Sequence, residues 1–552
     1  MRKNLLLLVL VLIGASILTA CGGEETDKSD SSEVSGKSEQ VLNVSINSEP
    51  DTLDVARASD VNGYTVLIQC MENLTRLEVD EEGNDVVAPG IAKSWETSDD
   101  GLEWTFYLRD AKWSDGEPVT ADDFVYGVQR TLDPETASPI ASQLTPIKNA
   151  EEIINNELDV SKAGIEAIDK KTLKIELEKP QAHFIDLTYD RMFQPQRKDV
   201  VEEHGESYGT EADKLVFNGP FVIDDWVHNN IITLSKNEKY WDKDSVNLNE
   251  INIKIIGEES AVMGEFINSN IDVVDASSAE WIDKLDQEDG LNKLRDHQVR
   301  TSYMFFNQEN ELFSNNKVRQ AFSIVLDRET IQNDIYQDLY EAAYGWVAPP
   351  IDIGDENYRE KAGDPVKDLI EENPEPKELL IEGLKELGKS EEPSDITVEL
   401  MTPSQEGREF PEFLQQLYNE ELGINIEIDS AEWPVFQERN RQLDYEMGYK
   451  SRGGYYNDPL TLLDIWVTGT GIIPTGWSNE RYDRLIEKSS TSIDNEERFE
   501  MLNEAERILL KKDATIAPYL YHMRNIYTHE YVEGVMHPAF GPPLYKYGYI
   551  DK

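Results

Sequence analysis

The chain has 552 residues and carries 109 Asp and Glu against 52 Lys and Arg, a formal charge of −57 at pH 7. A surface this acidic repels nucleic acid and anionic lipid headgroups, so both make poor partners. Hydrophobic residues make up 39%, and 10 Trp, 24 Tyr and 16 Phe can fill a core, which excludes an intrinsically disordered chain.

The length predicts two to four domains. The first twenty residues carry Arg2 and Lys3, an apolar run from Leu5 to Ile13, and Leu18-Thr19-Ala20 directly before Cys21. A positive end, a short apolar core and small residues at a cut site are the parts of a secretory signal. The core is too short to span a bilayer, which takes roughly 20 apolar residues. Leu-x-Ala-Cys resembles the bacterial lipobox, whose thiol receives a diacylglyceryl group and becomes the new N-terminus. That resemblance implies lipidation at Cys21 and a place on the extracellular face of the cell membrane. Two acyl chains, at about 0.8 kcal/mol per buried methylene, hold a protein durably on a bilayer. An ordinary secretion signal with a chance cysteine is the alternative. Once Cys21 is acylated only Cys70 remains, so no intrachain disulfide can form and stability must come from a large core.

After the signal (1–20), residues 21–40 are small, polar and charged, with Val34 the single aliphatic residue beyond alanine and glycine size, and read as a flexible tether. A globular body starts at Val41. Trp104, Phe106 and Leu108 alternate with Thr105, Tyr107 and Arg109, the period of a half-buried strand. Ser114-Asp115-Gly116 predicts a turn, and Thr120 with Asp123 predicts a capping box for a helix bearing Phe124, Val128 and Leu132 on one face. Val318, Ala321, Phe322, Val325 and Leu326 mark an amphipathic helix. The acidic stretch from Asp364 to Asp395 reads as a solvated helical excursion. Phe413 and Leu417 predict a helix before a strand with Ile424, Ile426 and Ile428. Leu502, Ala505, Ile508 and Leu509 predict another helix, and Tyr519 to Tyr527 reads as extended chain. The class is mixed α/β (α+β) with several lobes.

Catalytic signatures are missing: no G-x-S-x-G, H-E-x-x-H, C-x-x-C or G-x-x-x-x-G-K-[ST] occurs. Gly469-Thr470-Gly471 begins like a dinucleotide loop, but Pro474 stands where a third glycine is needed, so a plain loop is expected. The seven histidines are scattered without metal-ligand spacing, so neither a metal nor another cofactor is expected. What does cluster is aromatic residues with glycines: Tyr449, Gly453, Gly454, Tyr455, Tyr456 and Asn457-Asp458-Pro459, then Trp466 and Trp477. Glycine admits close backbone approach and aromatics give broad pocket walls with a polar tip; a core turn flanked by packed tyrosines is the plain alternative.

Three segments together resemble the oligopeptide-binding family, the solute-binding proteins of peptide-importing ABC transporters: Lys112-Trp113-Ser114-Asp115-Gly116-Glu117-Pro118-Val119-Thr120-Ala121-Asp122-Asp123-Phe124; Asn218-Gly219-Pro220-Phe221 with Trp226 and Asn237 to Trp241; and Val318-Arg319-Gln320-Ala321-Phe322 through Asp327-Arg328-Glu329. The resemblance runs from about Val41 to the C-terminus. It implies a periplasmic-binding-protein-like type II fold, two jaws around a hinge plus an extra lobe: lobe I from 41–75, 205–305 and 521–552, lobe II from 76–204, and lobe III from 306–520. It further implies a monomer that binds oligopeptides in the interlobe cleft by their backbone, performs no chemistry, and delivers them to permease subunits.

By the same resemblance, ligand contacts fall on Ser59, Asp60 and Val61, on Tyr126, and on Arg452, Gly453, Gly454, Tyr455, Tyr456, Asn457 and Asp458. Relatives commonly carry an aspartate where Tyr455 stands, and it pairs with the peptide's α-ammonium. Here either Asp458, Asp60 or another acid takes that part, or ligands with a blocked, differently registered or absent free N-terminus are preferred. Other expectations of the same class are a receptor for one signalling peptide, or for a nickel chelate, a haem or a sugar; a surface hydrolase using paired carboxylates is the expectation of another class.

Overall fold

The computed structural model describes residues 39–80 and 84–552. The signal, Cys21 and nearly all of the tether lie outside the described residues.

Alternating burial builds two four-stranded sheets in the N-terminal half. The first runs Val41–Ile46, Glu250–Ile255, Ile231–Lys236, Phe221–Val227, with its first pair parallel and the others antiparallel. The second is wholly antiparallel, in the order Ala92–Thr97, Glu103–Leu108, Thr172–Glu176, Ile165–Asp169. Trp104, Phe106 and Leu108 point inward from it, as their spacing requires. The Ala121–Leu132 helix adds Phe124, Val128 and Leu132 to the same core. Its Asp123 carboxylate accepts a hydrogen bond from the Thr120 backbone N–H at 2.8 Å, the reach-back half of the expected capping box. One apolar core serves both sheets and takes in Val532, Tyr545 and Ile550 from the C-terminus. Cys70 is buried in this core as a free thiol.

The C-terminal half is built on a mixed seven-stranded sheet, in the order Val273–Asp275, Ile516–His529, Leu291–Phe306, Met447–Gly453, Thr397–Pro403, Asn425–Ala431, with Glu341–Ala342 also paired to Ile516–His529. Tyr303 and Phe305 pack on one face with Trp346 and Trp466; Met304 and Phe306 pack on the other with Phe322 and Tyr418. The Asn316–Ile324 helix buries Val318, Ala321 and Phe322, with Val325 and Leu326 buried just beyond it.

The expected helix forms as Glu409–Glu421, burying Phe410, Leu414 and Tyr418 with Phe413 and Leu417 half-buried beside them; the Tyr418 ring packs 4.8 Å from that of Phe322. One expectation needs correction. The acidic stretch forms the Pro365–Glu372 and Pro376–Glu386 helices, and these are packed along one face rather than simply solvated. Val366 with Leu369, and Leu380 with Leu384, sit three or four residues apart and so share a side of the helix.

The chain passes between the halves along the long antiparallel strands Leu291–Phe306 and Ile516–His529. One end of this pair adjoins the first sheet, where the Asn43 N–H and Nδ2 donate to Asp272 at 2.7 and 3.0 Å. The other end carries Met447–Gly453, and the register slips between His297 and Thr301, midway between the two.

Candidate functional site

Arg300–Phe306 pairs antiparallel with Gly453–Met447. Gly454 N–H donates to Val299 O and Asn307 N–H to Glu446 O, each at 2.9 Å, so even-numbered residues turn their backbone groups toward this partner. In an antiparallel ladder the odd-numbered ones then face the opposite edge. On that side Thr397–Pro403 pairs only at Met447 and Gly448. Among the described residues, no strand runs beside the edge presented by Ser451 and Gly453. The glycine after it is required by space: a Cβ on Gly454 would lie 2.7 Å from Thr461 Cγ2 and 2.8 Å from Val299 Cγ1.

Beyond this edge the chain meets the N-terminal half. Tyr456 stacks on His183 with ring centroids 4.6 Å apart. Asn457 accepts from Asp352 N–H at 2.8 Å and donates to its carboxylate at 3.1 Å. Asp458 is buried in an ion pair with Arg498 at 2.5 Å, and accepts from Leu460 N–H. Its carboxylate is therefore committed inside the C-terminal half, which corrects the expectation that it offers a charge to a ligand. Tyr455 is 61% exposed, with its N–H on Thr461 Oγ1 and the Arg452 guanidinium 5.3 Å from its ring centroid. Of the other clustered aromatics, Tyr449 is core against Phe410, Trp477 packs on Tyr482 and donates to Asp513, and Trp466 lies buried beside Tyr303.

The N-terminal residues expected at the site divide. Ser59 O accepts from Arg191 at 3.2 Å, Asp60 caps the Val61–Cys70 helix through Gly63 N–H at 2.8 Å, and Val61 is exposed. Arg191 also lies over the Tyr64 ring, so Ser59–Val61 adjoins the segment that carries His183 and Asp186. Tyr126 sits elsewhere, among Arg130, Glu202 and Asp54, whose charges it feels.

Two acids at this seam have, among the described residues, no cation within ion-pair distance. Burial, reinforced by Asp458, pushes Asp186 up to about 7. Asp464 also reaches about 7 through burial, with Arg452 opposing. Lys450 is pushed down to about 8 by burial and by Arg452 beside it. His183 is held below its ordinary value chiefly by burial. Sequence reasoning missed His183, Asp186, Lys450 and Asp464. Asp464 did leave a signal, a lone acid in the apolar run Leu460–Trp466, and Lys450 and Arg452 alternate on a strand; His183 and Asp186 left none.

The family model described as bacterial extracellular solute-binding proteins, family 5 (middle), matches residues 86–473. The oligopeptide-binding protein OppA of Bacillus subtilis is 31% identical over 561 residues, covering 100% of each chain. Among solved structures, the murein tripeptide-binding protein MppA in its unliganded open form superposes with a TM-score of 0.79 at 27% identity, over 93% of this chain and 98% of that one. Listeria monocytogenes OppA bound to peptide gives 0.70 at 29% identity, over 93% and 100%. With a matching family model, a full-length relative and the shared mixed α/β architecture, the chain belongs to family 5 of the bacterial extracellular solute-binding proteins.

Proposed function

We propose that this protein captures oligopeptides in extended form between its halves and releases them, chemically unchanged, to the permease of an ABC transporter. One observation carries the reading: the strand edge at Ser451 and Gly453 has its backbone groups turned outward and, among the described residues, no strand beside it. An extended peptide satisfies such an edge by adding a strand, and because the pairing uses only main chain, ligands of many sequences fit. Similarity to OppA of B. subtilis, and to a Listeria OppA bound to peptide, supports the same reading. The slip between His297 and Thr301 in the connecting strands suits a hinge about which lobe III (306–520) closes on lobes I and II. Lipidation at Cys21 holds the receptor, a monomer, at the membrane's outer face beside its permease. Isothermal titration of ligand-free protein with tetra-alanine and with its backbone N-methylated analogues tests the binding mode. Loss of binding on methylation is expected; equal affinity for both forms would overturn it.

A further inference from the structure

Residues 180–186 of the N-terminal half run against the C-terminal half. A Cβ built on Gly101 would lie 3.2 Å from Pro180 Cβ and 3.8 Å from Ile493 Cγ2 of the other half. Ile493 leads into the Asn495–Arg507 helix, which is capped by Asp494 and carries Arg498 near its start. His183 stacks on Tyr456. Asp186 follows His183 by three positions, within the short Phe184–Leu187 helix, and so lies on the side that faces Tyr456 and Asp458.

Closure thus brings a carboxyl group from one half up to a carboxylate of the other. Arg498 is the cation whose charge Asp186 feels, and it is already committed. Its Nη2 donates to Asp458 at 2.5 Å, its Nε to Ser489 O at 3.0 Å and its Nη1 to Asn495 Oδ1 at 3.4 Å. The other groups around Asp186 bring no positive charge. Asp352 adds a second negative one, the buried Tyr189 and Tyr456 hydroxyls hold their protons far above neutrality, and burial disfavours the charged form of His183. Asp186 itself is only half-buried, so solvent can deliver a proton to it.

We propose that this seam is a proton-gated latch: the halves close on a protonated Asp186 and part when it ionises, so acidity tightens the hold on a peptide and a rise in pH loosens it. The link to peptide rests on the reading above; the latch between the halves does not. In the closed form burial and Asp458 push the Asp186 carboxyl up to about 7. Parting the halves admits water and takes Asp458 away, which returns the group toward its ordinary 3.8. The closed form therefore holds a proton that the open form releases between these values. Closure is favoured at low pH, loses that support as pH rises to about 7, and changes little above it. Asp464 titrates in the same range, but the charges acting on it, Arg452 and Asp458, belong to its own half.

Calorimetry with tetra-alanine at pH 5 and pH 7, where the termini of the peptide keep their charges, tests the latch. Wild-type affinity is expected to fall about tenfold or more between the two, since one proton per closure gives up to about tenfold per pH unit. Asp186→Asn, a neutral stand-in for the protonated acid, is expected to remove most of that fall and to bind tighter than wild type at pH 7. Asp186→Ser, smaller and equally neutral, serves where the asparagine variant does not fold. In small-angle scattering the peptide-free wild type is expected to expand from pH 5 to pH 7, and the variant to stay compact. Parallel affinity profiles of wild type and variant would overturn the latch and leave peptide capture standing. Absence of tetra-alanine binding at both pH values would overturn the peptide reading, and parallel scattering profiles would then overturn the latch as well.

Discussion

His183 and Tyr456 lie face to face, 4.6 Å between centroids and 4° from parallel, one from each half of the molecule. Such a pair contributes about 1 kcal/mol beyond its buried area. His183→Ala is therefore expected to loosen the approach of the halves and enlarge the radius of gyration of the peptide-free protein in small-angle scattering. An unchanged radius would show that the stack does not help hold them together.

Asp458 and Arg498 form a different kind of contact, a buried ion pair with both residues 2% exposed. Removing one partner leaves the other charge uncompensated, at a cost of about 3–5 kcal/mol. Arg498→Met is expected to lower the urea midpoint sharply. Asp458→Asn combined with Arg498→Met is expected to recover part of the loss, and a double variant as weak as the sum of the singles would contradict the pairing.

Asp186 makes a pH-dependent contribution. Its folded pKa of about 7 lies above the ordinary 3.8, so the folded state holds a proton that the unfolded state has released between those values. Stability from this group therefore falls as pH rises from about 4 to about 7. The groups around it are Asp458, Arg498 and Asp352, with Arg498 alone opposing the shift among those charges. Asp186→Asn is expected to be more stable than wild type at pH 8 and nearly equal to it near pH 4, in urea titrations across that range. A gap that stays constant with pH would contradict the assignment.

What local pattern could reveal, it did. Alternation over Trp104–Leu108 and the helical stripe of Val318–Leu326 depend on neighbours within a few residues, and both elements form as read. Within the glycine–tyrosine cluster, Gly454 is demanded by contact with Val299 and Thr461. The rest depends on partners remote in sequence. Asp458 looked free because Arg498, forty residues on, cannot be paired with it by spacing. His183 and Asp186 looked like ordinary polar residues, and only the fold sets them against Tyr456 and Asp458. The buried face of the Glu409–Glu421 helix depends in the same way on a remote partner, because Tyr418 packs against the Phe322 ring.

Cys21 carries the proposed anchor. Cys21→Ala is expected to shift the protein from the membrane fraction to the medium of the expressing cells, read by immunoblot. Retention at the membrane would contradict anchoring through this thiol.

The most direct test is to incubate ligand-free protein with a random peptide library, isolate the complex, denature it with acid and read the released species by mass spectrometry. Intact peptides of varied sequence are the expected result. Recovery of shortened fragments, or of no peptide at all, would contradict capture by the backbone without chemistry.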